Sequence, residues 1–357
     1  MSGSQSREEN QPRATRRGFL EHVGHGLVAG GLMASVWDDA ASACGAEAAQ
    51  RGPGPGRVGS RVLGKTGLWV SEIGFGGHSW SYARVPDGRG KLRPPTLDEA
   101  ARMIAIGLDM GVNFFDSCTP PEEHSVPGEV IKRLRKRDAV IVSARLCHKM
   151  KGVPKDKEII YRWVDERLAL WQTDRFELLM LTNTENDTPK SGYWDMSYSL
   201  EAVEKLKQQG KIRFAGFGCH FAPEGYREAF EKFGRAFDVC SLPYNARHRA
   251  AEEIIPQAKT LNLGMVTIKP FARGALLEKH DLAGSDAGLP RDMIAFVLQH
   301  KLVDCCICGV HTEAHVRENF SASWTKLTPD GRRRLEQLAA QTPCGEHPWL
   351  ENGWLCA

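Results

Sequence analysis

The sequence predicts an α/β fold, a (β/α)8 TIM barrel with an N-terminal β-hairpin, on three observations. Short apolar runs rich in β-branched and aromatic residues recur eight times, at Trp69–Gly77, Asn113–Ser117, Ala139–Arg145, Phe176–Thr182, Phe214–Cys219, Val239–Asn245, Gly264–Pro270 and Asp304–Val310. Between them, stretches such as 97–110, 156–171 and 199–210 place apolar residues at i, i+3, i+4 and i+7, the stripe of a helix lying on a sheet. The runs are almost continuously apolar rather than alternating, which implies burial on both faces. Eight strands alternating strictly with helices over about 250 residues is the barrel pattern. A doubly wound sheet is the alternative, but no G-x-G-x-x-G turn follows the first run. Ahead of that run, RVLGKTGLWV (61–70) sets apolar flanks around Gly64-Lys65-Thr66-Gly67 and reads as the hairpin.

Composition narrows the function classes. With 357 residues, 41% of them hydrophobic and 25% charged, the chain is neither disordered nor fibrous. Lys and Arg total 47 against 44 Asp and Glu, a net charge of +3, which removes any global argument for nucleic-acid binding or a polybasic membrane surface. Ten cysteines are too few for a disulfide scaffold of this size. Cys305, Cys306 and Cys308 share the last run, where strand alternation sends neighbours to opposite faces. Three ligands cannot converge from there, so buried thiols are expected and no metal site.

The first residues stand apart. Arg16-Arg17-Gly18-Phe19-Leu20, a weakly apolar stretch to Trp37 and Ala41-Ser42-Ala43 resemble a twin-arginine export signal over 1–43, to be recognised by the twin-arginine translocation machinery. Glu21, His22 and His25 interrupt the apolar stretch, so no permanent membrane span is expected there. An exported, periplasmic or extracytoplasmic protein of bacterial type follows, and Cys44 leaves a lipoprotein open as an alternative. Residues 44–60 are small and rich in Pro and Gly and read as a linker, 61–340 as the barrel, and 341–357 as an aromatic tail. In that tail Trp349 or Trp354 could wall a substrate, and Cys344 could pair with Cys356 in an oxidising compartment.

In a barrel of this type the chemistry sits on the loops that follow the strands. Here RVLGKTGLWVSEIGFGG (61–77), GVNFFDS (111–117), RDAVIVSAR (137–145), LALWQTDRFELLML (168–181), GKIRFAGFG (210–218), FDVCSLPYN (237–245), IKPFARGALL (268–277) and CGVHTEAHVRENF (308–320) resemble the aldo/keto reductase family. The resemblance implies a nicotinamide cofactor, NADP or NAD, and hydride transfer to or from a small-molecule carbonyl or alcohol. It also implies four catalytic positions, of which only the aspartate, Asp116, is retained. The tyrosine position holds Pro121, the lysine position Arg145 and the histidine position Thr182. Proline cannot donate a proton, and arginine keeps its charge without being able to lose a proton.

Asp116 and Arg145 are therefore expected as a pair, catalytic or purely structural. Replacement acids are sought among His78, Tyr82, His124, His148, Tyr193 and His220. His220 leads, because GFGCH resembles a variant in some bacterial relatives, and His124 follows, three residues beyond the vacant tyrosine position. The resemblance implies cofactor contacts at Gly77, Asp116, Cys219 and Ser241, at Pro270, Phe271, Arg273 and Gly274 beside the pyrophosphate, and at Gly309, His311, Thr312, His315, Glu318 and Asn319 at the adenosine end. Three readings stay open: an exported NAD(P)H-dependent oxidoreductase with a non-standard acid, a catalytically inactive barrel that binds a ligand or partner, or an enzyme of another class, such as an isomerase or lyase, that reuses the barrel mouth.

Overall fold

A computed structural model describes residues 52–82, 84–148, 157–183, 197–219, 223–277, 280–282 and 284–341. The export segment 1–43, Cys44, Tyr193, His220 and the tail with Cys344, Trp349, Trp354 and Cys356 lie outside the described residues, as do the side chains of His148, Thr182 and Cys219.

The described chain opens on an antiparallel hairpin, β1 (Ser60–Val62) and β2 (Trp69–Ser71). The first barrel strand, β3 (Ile73–Gly76), leads into a short helix, α1 (His78–Ser81), and a small ribbon, β4 (Val85–Pro86) with β5 (Leu92–Arg93). Then come α2 (Leu97–Asp109), β6 (Phe114–Ser117), α3 (Glu122–Leu134), β7 (Ile141–His148), α4 (Lys157–Trp171) and β8 (Phe176–Asn183). The second half runs α5 (Ser197–Gln208), β9 (Ile212–Cys219), α6 (Pro223–Phe233), β10 (Val239–Pro243), α7 (Ala251–Thr260), β11 (Gly264–Ile268), α8 (Leu289–Leu298), β12 (Cys305–Cys308), α9 (Glu313–Phe320) and α10 (Pro329–Gln341). Strands β3 and β6 to β12 close into an all-parallel barrel in sequence order, β12 returning to β3. The expected fold class stands.

Local chemistry sets the element ends. Thr96 and Glu99 form a reciprocal capping box that starts α2, and Gly111 at φ 88° ends its turn. The expected first run, Trp69–Gly77, is two elements rather than one. Trp69–Ser71 pairs with β1, and Ile73–Gly76 pairs with β12 and β6. At the junction the buried Glu72 is held by Arg61 at 2.7 Å and Ser323 at 2.6 Å. The linker expected over 44–60 also ends early: Val58 is buried, its N–H donates to Met110 O at 2.8 Å, and Gly59 N–H donates to Ser323.

The hairpin stoppers the barrel. Leu63, Leu68 and Val70 pack with Phe114, Ile141, Leu178, Met180, Val239, Val266, Cys305 and Ile307, which fill the interior. Gly64 makes this approach with φ 48°, and a Cβ there would stand 2.2 Å from Gly264 N. Cys306 and Cys308 belong instead to the layer between strands and helices, so the thiols alternate as expected. At three places an acidic side chain accepts a strand N–H and meets a cation: Glu177 with Val142 and Arg137, Asp238 with Ala215 and Lys207, Asp304 with Met265 and Lys259. Each satisfies a backbone group that would otherwise lie buried and unpaired.

Candidate active site

Interior strand positions near the C-terminal ends turn polar. Asp116 on β6 and Ser143 and Arg145 on β7 face one another, with Ser241 on β10 beside them. All four are buried. Arg145 Nε donates to Asp116 Oδ2 at 3.2 Å, its Nη2 donates to Asp116 Oδ1 at 3.0 Å and to Ser241 Oγ at 3.2 Å, and Ser143 Oγ donates to Asp116 Oδ1 at 2.8 Å. Tyr226 in turn donates to the Ser241 carbonyl at 2.8 Å. The expected pair is formed, and it is closed. Every Asp116 oxygen has a donor, and an arginine that pairs through two nitrogens offers the aspartate no exchangeable proton for chemistry.

Pro121 caps α3 with αR geometry and brings the following acid inward. Glu123, wholly buried, accepts from His78 Nδ1 at 2.5 Å and Ser81 Oγ at 2.8 Å with one oxygen and from Cys118 N–H at 2.8 Å with the other. Burial works to raise its pKa, but the hydrogen bonds from His78, Ser81 and Cys118 outweigh it, and the carboxyl lies below its ordinary value. Gly77 must be glycine here, since a Cβ would stand 2.2 Å from Glu123 Oε2. The Tyr82 ring stacks on His78 at 4.3 Å with 13° between planes.

His124, the second sequence candidate, is placed elsewhere. It is buried, packs edge-on to Trp163, and its Nε2 lies 2.6 Å from the Cys118 carbonyl. The carbonyl can only accept, so Nε2 carries the proton. Desolvation pushes its pKa down to about 4. A neutral imidazole with its one N–H spent on backbone has no proton to offer a substrate. Its helical position turned it inward, and sequence spacing does not show that turn.

The loop after β11 carries backbone in the left-handed region at Lys269, Ala272, Arg273 and Gly274, with φ of 61°, 47°, 60° and 102°. Such a run at a strand end is a common signature of a binding loop. Pro270 is buried and Phe271 packs against the core, so these two shape the loop. After β12, Thr312 caps α9 by accepting from His315 N–H at 3.2 Å. His311 Nδ1 is buried without a hydrogen-bond partner, and desolvation lowers the ring pKa to about 4. Glu318 accepts from Gly288 N–H at 3.0 Å, and the buried Asn319 donates to the Gly309 carbonyl at 3.3 Å. Both side chains therefore already serve the protein. Gly274 has nothing within 4 Å of a Cβ, and Gly309 only His311 at 3.9 Å, so both open onto free space.

The resemblance led to Asp116, Arg145 and Ser241 and to the β11 and β12 loops, but not to Glu123. An acid in the first turn of a helix is usually a solvated cap. The one available signal was its place two residues after the vacant tyrosine position. Among the described residues, no group of His, Cys, Asp and Glu is arranged to hold a metal ion, and no helix is long and apolar enough to cross a membrane.

A closed parallel barrel with a buried acid–guanidinium pair near one end and strained, glycine-opened loops around it has the architecture of a barrel enzyme. The chain belongs to the aldo/keto reductase family, whose model matches residues 72–288. It is 27% identical over 229 residues to L-galactose dehydrogenase of Arabidopsis thaliana, covering 61% of this chain and 67% of that protein. It is 24% identical over 340 residues to an uncharacterized oxidoreductase of Bacillus subtilis (strain 168), YrpG, covering 80% and 97%. Among solved structures, an aldo-keto reductase from Bacillus halodurans in its holo form superposes with a TM-score of 0.62 at 23% identity, over 82% of this chain and 99% of that one. An aldo/keto reductase from Klebsiella pneumoniae in complex with NADP and acetate gives 0.59 at 20% identity, over 78% and 94%. At these identities the two structures speak to the fold.

Proposed function

We propose that this protein is an exported NAD(P)H-dependent oxidoreductase that interconverts a small-molecule carbonyl and its alcohol at the end of the barrel where β6 and β7 finish. The family match across residues 72–288 carries this reading. The donor set fits a dinucleotide at its phosphate end: Arg273 beside the open Gly274, and His311, whose Nε2 lies 3.9 Å from a Cβ position at the open Gly309, would hold the phosphates. NAD(P)H, when bound, supplies the hydride. The protein supplies the cationic loops, the dry barrel interior beneath the site, and a proton. Ser241 is committed to Arg145, so the nicotinamide end would be gripped differently from the pattern that the resemblance implies.

Titrating the mature protein with NADPH and NADH and following cofactor fluorescence tests the reading. Saturable binding in the micromolar range is expected, and no binding of either at millimolar concentration would sink it. That second outcome would favour the inactive barrel, which the closed Asp116–Arg145 pair supports.

A pH dependence follows from His311. Its ring is neutral at pH 7 because burial holds its pKa near 4. A phosphate dianion beside it favours the protonated ring, so binding takes up a proton and affinity rises as pH falls. Between pH 7.5 and 5.5 the Kd for NADPH should tighten by roughly 3- to 10-fold while that for NADH changes little. Equal pH dependence for the two cofactors would remove His311 from the phosphate site.

Export is supported by Arg16-Arg17 with Ala41-Ser42-Ala43. Replacing both arginines by lysine should leave the unprocessed chain in the cytoplasm. Unchanged secretion on immunoblots of cell fractions would refute the assignment.

A further inference from the structure

The family's proton donor is missing at position 121, yet hydride delivery to a carbonyl carbon leaves an alkoxide that needs a proton. On the oxidoreductase reading above, we infer that His78 donates that proton in place of the absent tyrosine, with Glu123 holding and orienting it from behind.

The geometry is that of a buried carboxylate hydrogen-bonded to a partly exposed imidazole. Glu123 is 0% exposed, whereas the His78 side chain is 39% exposed. Glu123 remains a carboxylate, which can only accept, so His78 Nδ1 must be the donor in their 2.5 Å contact. This fixes the tautomer. The proton that comes and goes is the one on Nε2, at the accessible edge of the ring. Nε2 meets the Tyr82 hydroxyl at 3.5 Å, a long hydrogen bond in exposed surroundings that an incoming substrate oxygen can replace.

The location also fits. His78 follows Gly77 directly at the end of β3, and Glu123 lies two residues past the vacant position, its carboxylate wedged between the ends of β3 and β6. The titratable and charged groups around the imidazole are Glu123 from α3, Tyr82 stacked on it and His311 from the β12 loop. Arg84 and Arg273 act electrostatically on those neighbours. Burial raises the Tyr82 phenol above its ordinary value, with Arg273 opposing, so the phenol is a poorer donor than the ring beneath it.

The step balances. NAD(P)H, when bound, would supply a hydride, one proton with two electrons, to the carbonyl carbon, and the carbonyl π pair would pass to oxygen. The oxygen takes the proton from Nε2–H of imidazolium, leaving neutral imidazole still hydrogen-bonded through Nδ1–H to Glu123. Solvent reprotonates the exposed edge of the ring.

The test uses the mature protein, NADPH and 4-nitrobenzaldehyde as the carbonyl probe. His78→Gln should leave the NADPH midpoint within about 2-fold and lower kcat by roughly 10²- to 10⁴-fold, with loss of the ionisation in the kcat/KM pH profile. Glu123→Gln should lower kcat with KM little changed, because the carboxylate that accepts the Nδ1–H and orients the ring is gone, and Glu123→Asp should restore part of the turnover. Tyr82→Phe should retain turnover within about 3-fold, unlike the imidazole variant. Histidine ring NMR on the apoprotein should show the Nδ1–H tautomer of His78 in the wild type and its loss in Glu123→Gln, without turnover. Wild-type turnover in His78→Gln, or a pH profile that vanishes only in Tyr82→Phe, overturns the assignment while sparing the oxidoreductase reading. So does a wild type that binds NADPH but reduces none of the probe. A wild type that binds neither cofactor overturns the reading and the proposal together.

Discussion

Arg145→Met should lower the stability of the barrel by about 3–5 kcal/mol, measured by urea denaturation at neutral pH. The substitution leaves Asp116 charged, buried and short of two of its three donors, with only Ser143 still bonding it. The cost comes from stranding that charge, since the intact pair is of small net worth once its own desolvation is counted. The double variant Asp116→Leu with Arg145→Met should therefore recover most of the loss. Arg145→Lys should recover less, because an ammonium cannot bridge both Asp116 oxygens and Ser241 in the planar way that the guanidinium does. If Arg145→Met unfolds within 1 kcal/mol of the wild type, on the scale set for exposed pairs, water reaches the pair and its closed character is wrong.

Gly64→Val is expected to have an effect of similar size at the other end of the barrel. The residue would need φ 48° with a branched side chain, and its Cβ would stand 2.2 Å from Gly264 N and 2.4 Å from Leu263 C. Left-handed backbone costs about 1–2 kcal/mol and overpacking about 1–3 kcal/mol more. A loss of about 2–5 kcal/mol follows. The hairpin should loosen first, so amide exchange at Ser71, Glu72 and Val70 should rise before the strands open. Protection unchanged at those amides would mean that the hairpin is not what stoppers the barrel.

The barrel was legible because its strands are apolar on both sides and its helices striped, and both patterns come from burial rather than from local propensity. The split at Glu72 was hidden for the same reason. Trp69–Ser71 and Ile73–Gly76 read as one apolar run, and only their partners tell them apart, the adjacent β1 for the first and the distant β12 for the second. The linker boundary failed at Val58, a lone apolar residue in Pro- and Gly-rich surroundings. In the site, the Asp116–Arg145 pair was legible through the family resemblance, which assigns an acid to Asp116 and a cation to Arg145, and hydrogen bonds between strand ends join them. His124 and Glu123 exchanged expectations. The histidine turned into the core, and the acid beside it in sequence turned toward the strand ends, a choice made by the helix that Pro121 starts.

The three thiols of β12 have a consequence for the life of the molecule outside reducing surroundings. Burial pushes the Cys306 thiol up to about 12 and raises Cys305 and Cys308 well above the ordinary thiol value, so each remains a thiol with almost no thiolate character. Oxidants attack the thiolate, and so they can reach these sulfurs only in a chain whose last strand has come away from its neighbours. For these three thiols, oxidation and opening of the barrel are thus one event. Once sulfenylated or cross-linked, the strand could not fold back among Val266, Thr267 and Ile73, and a momentary opening would become permanent. The survival of these three thiols under oxidising conditions is therefore set by how seldom β12 detaches.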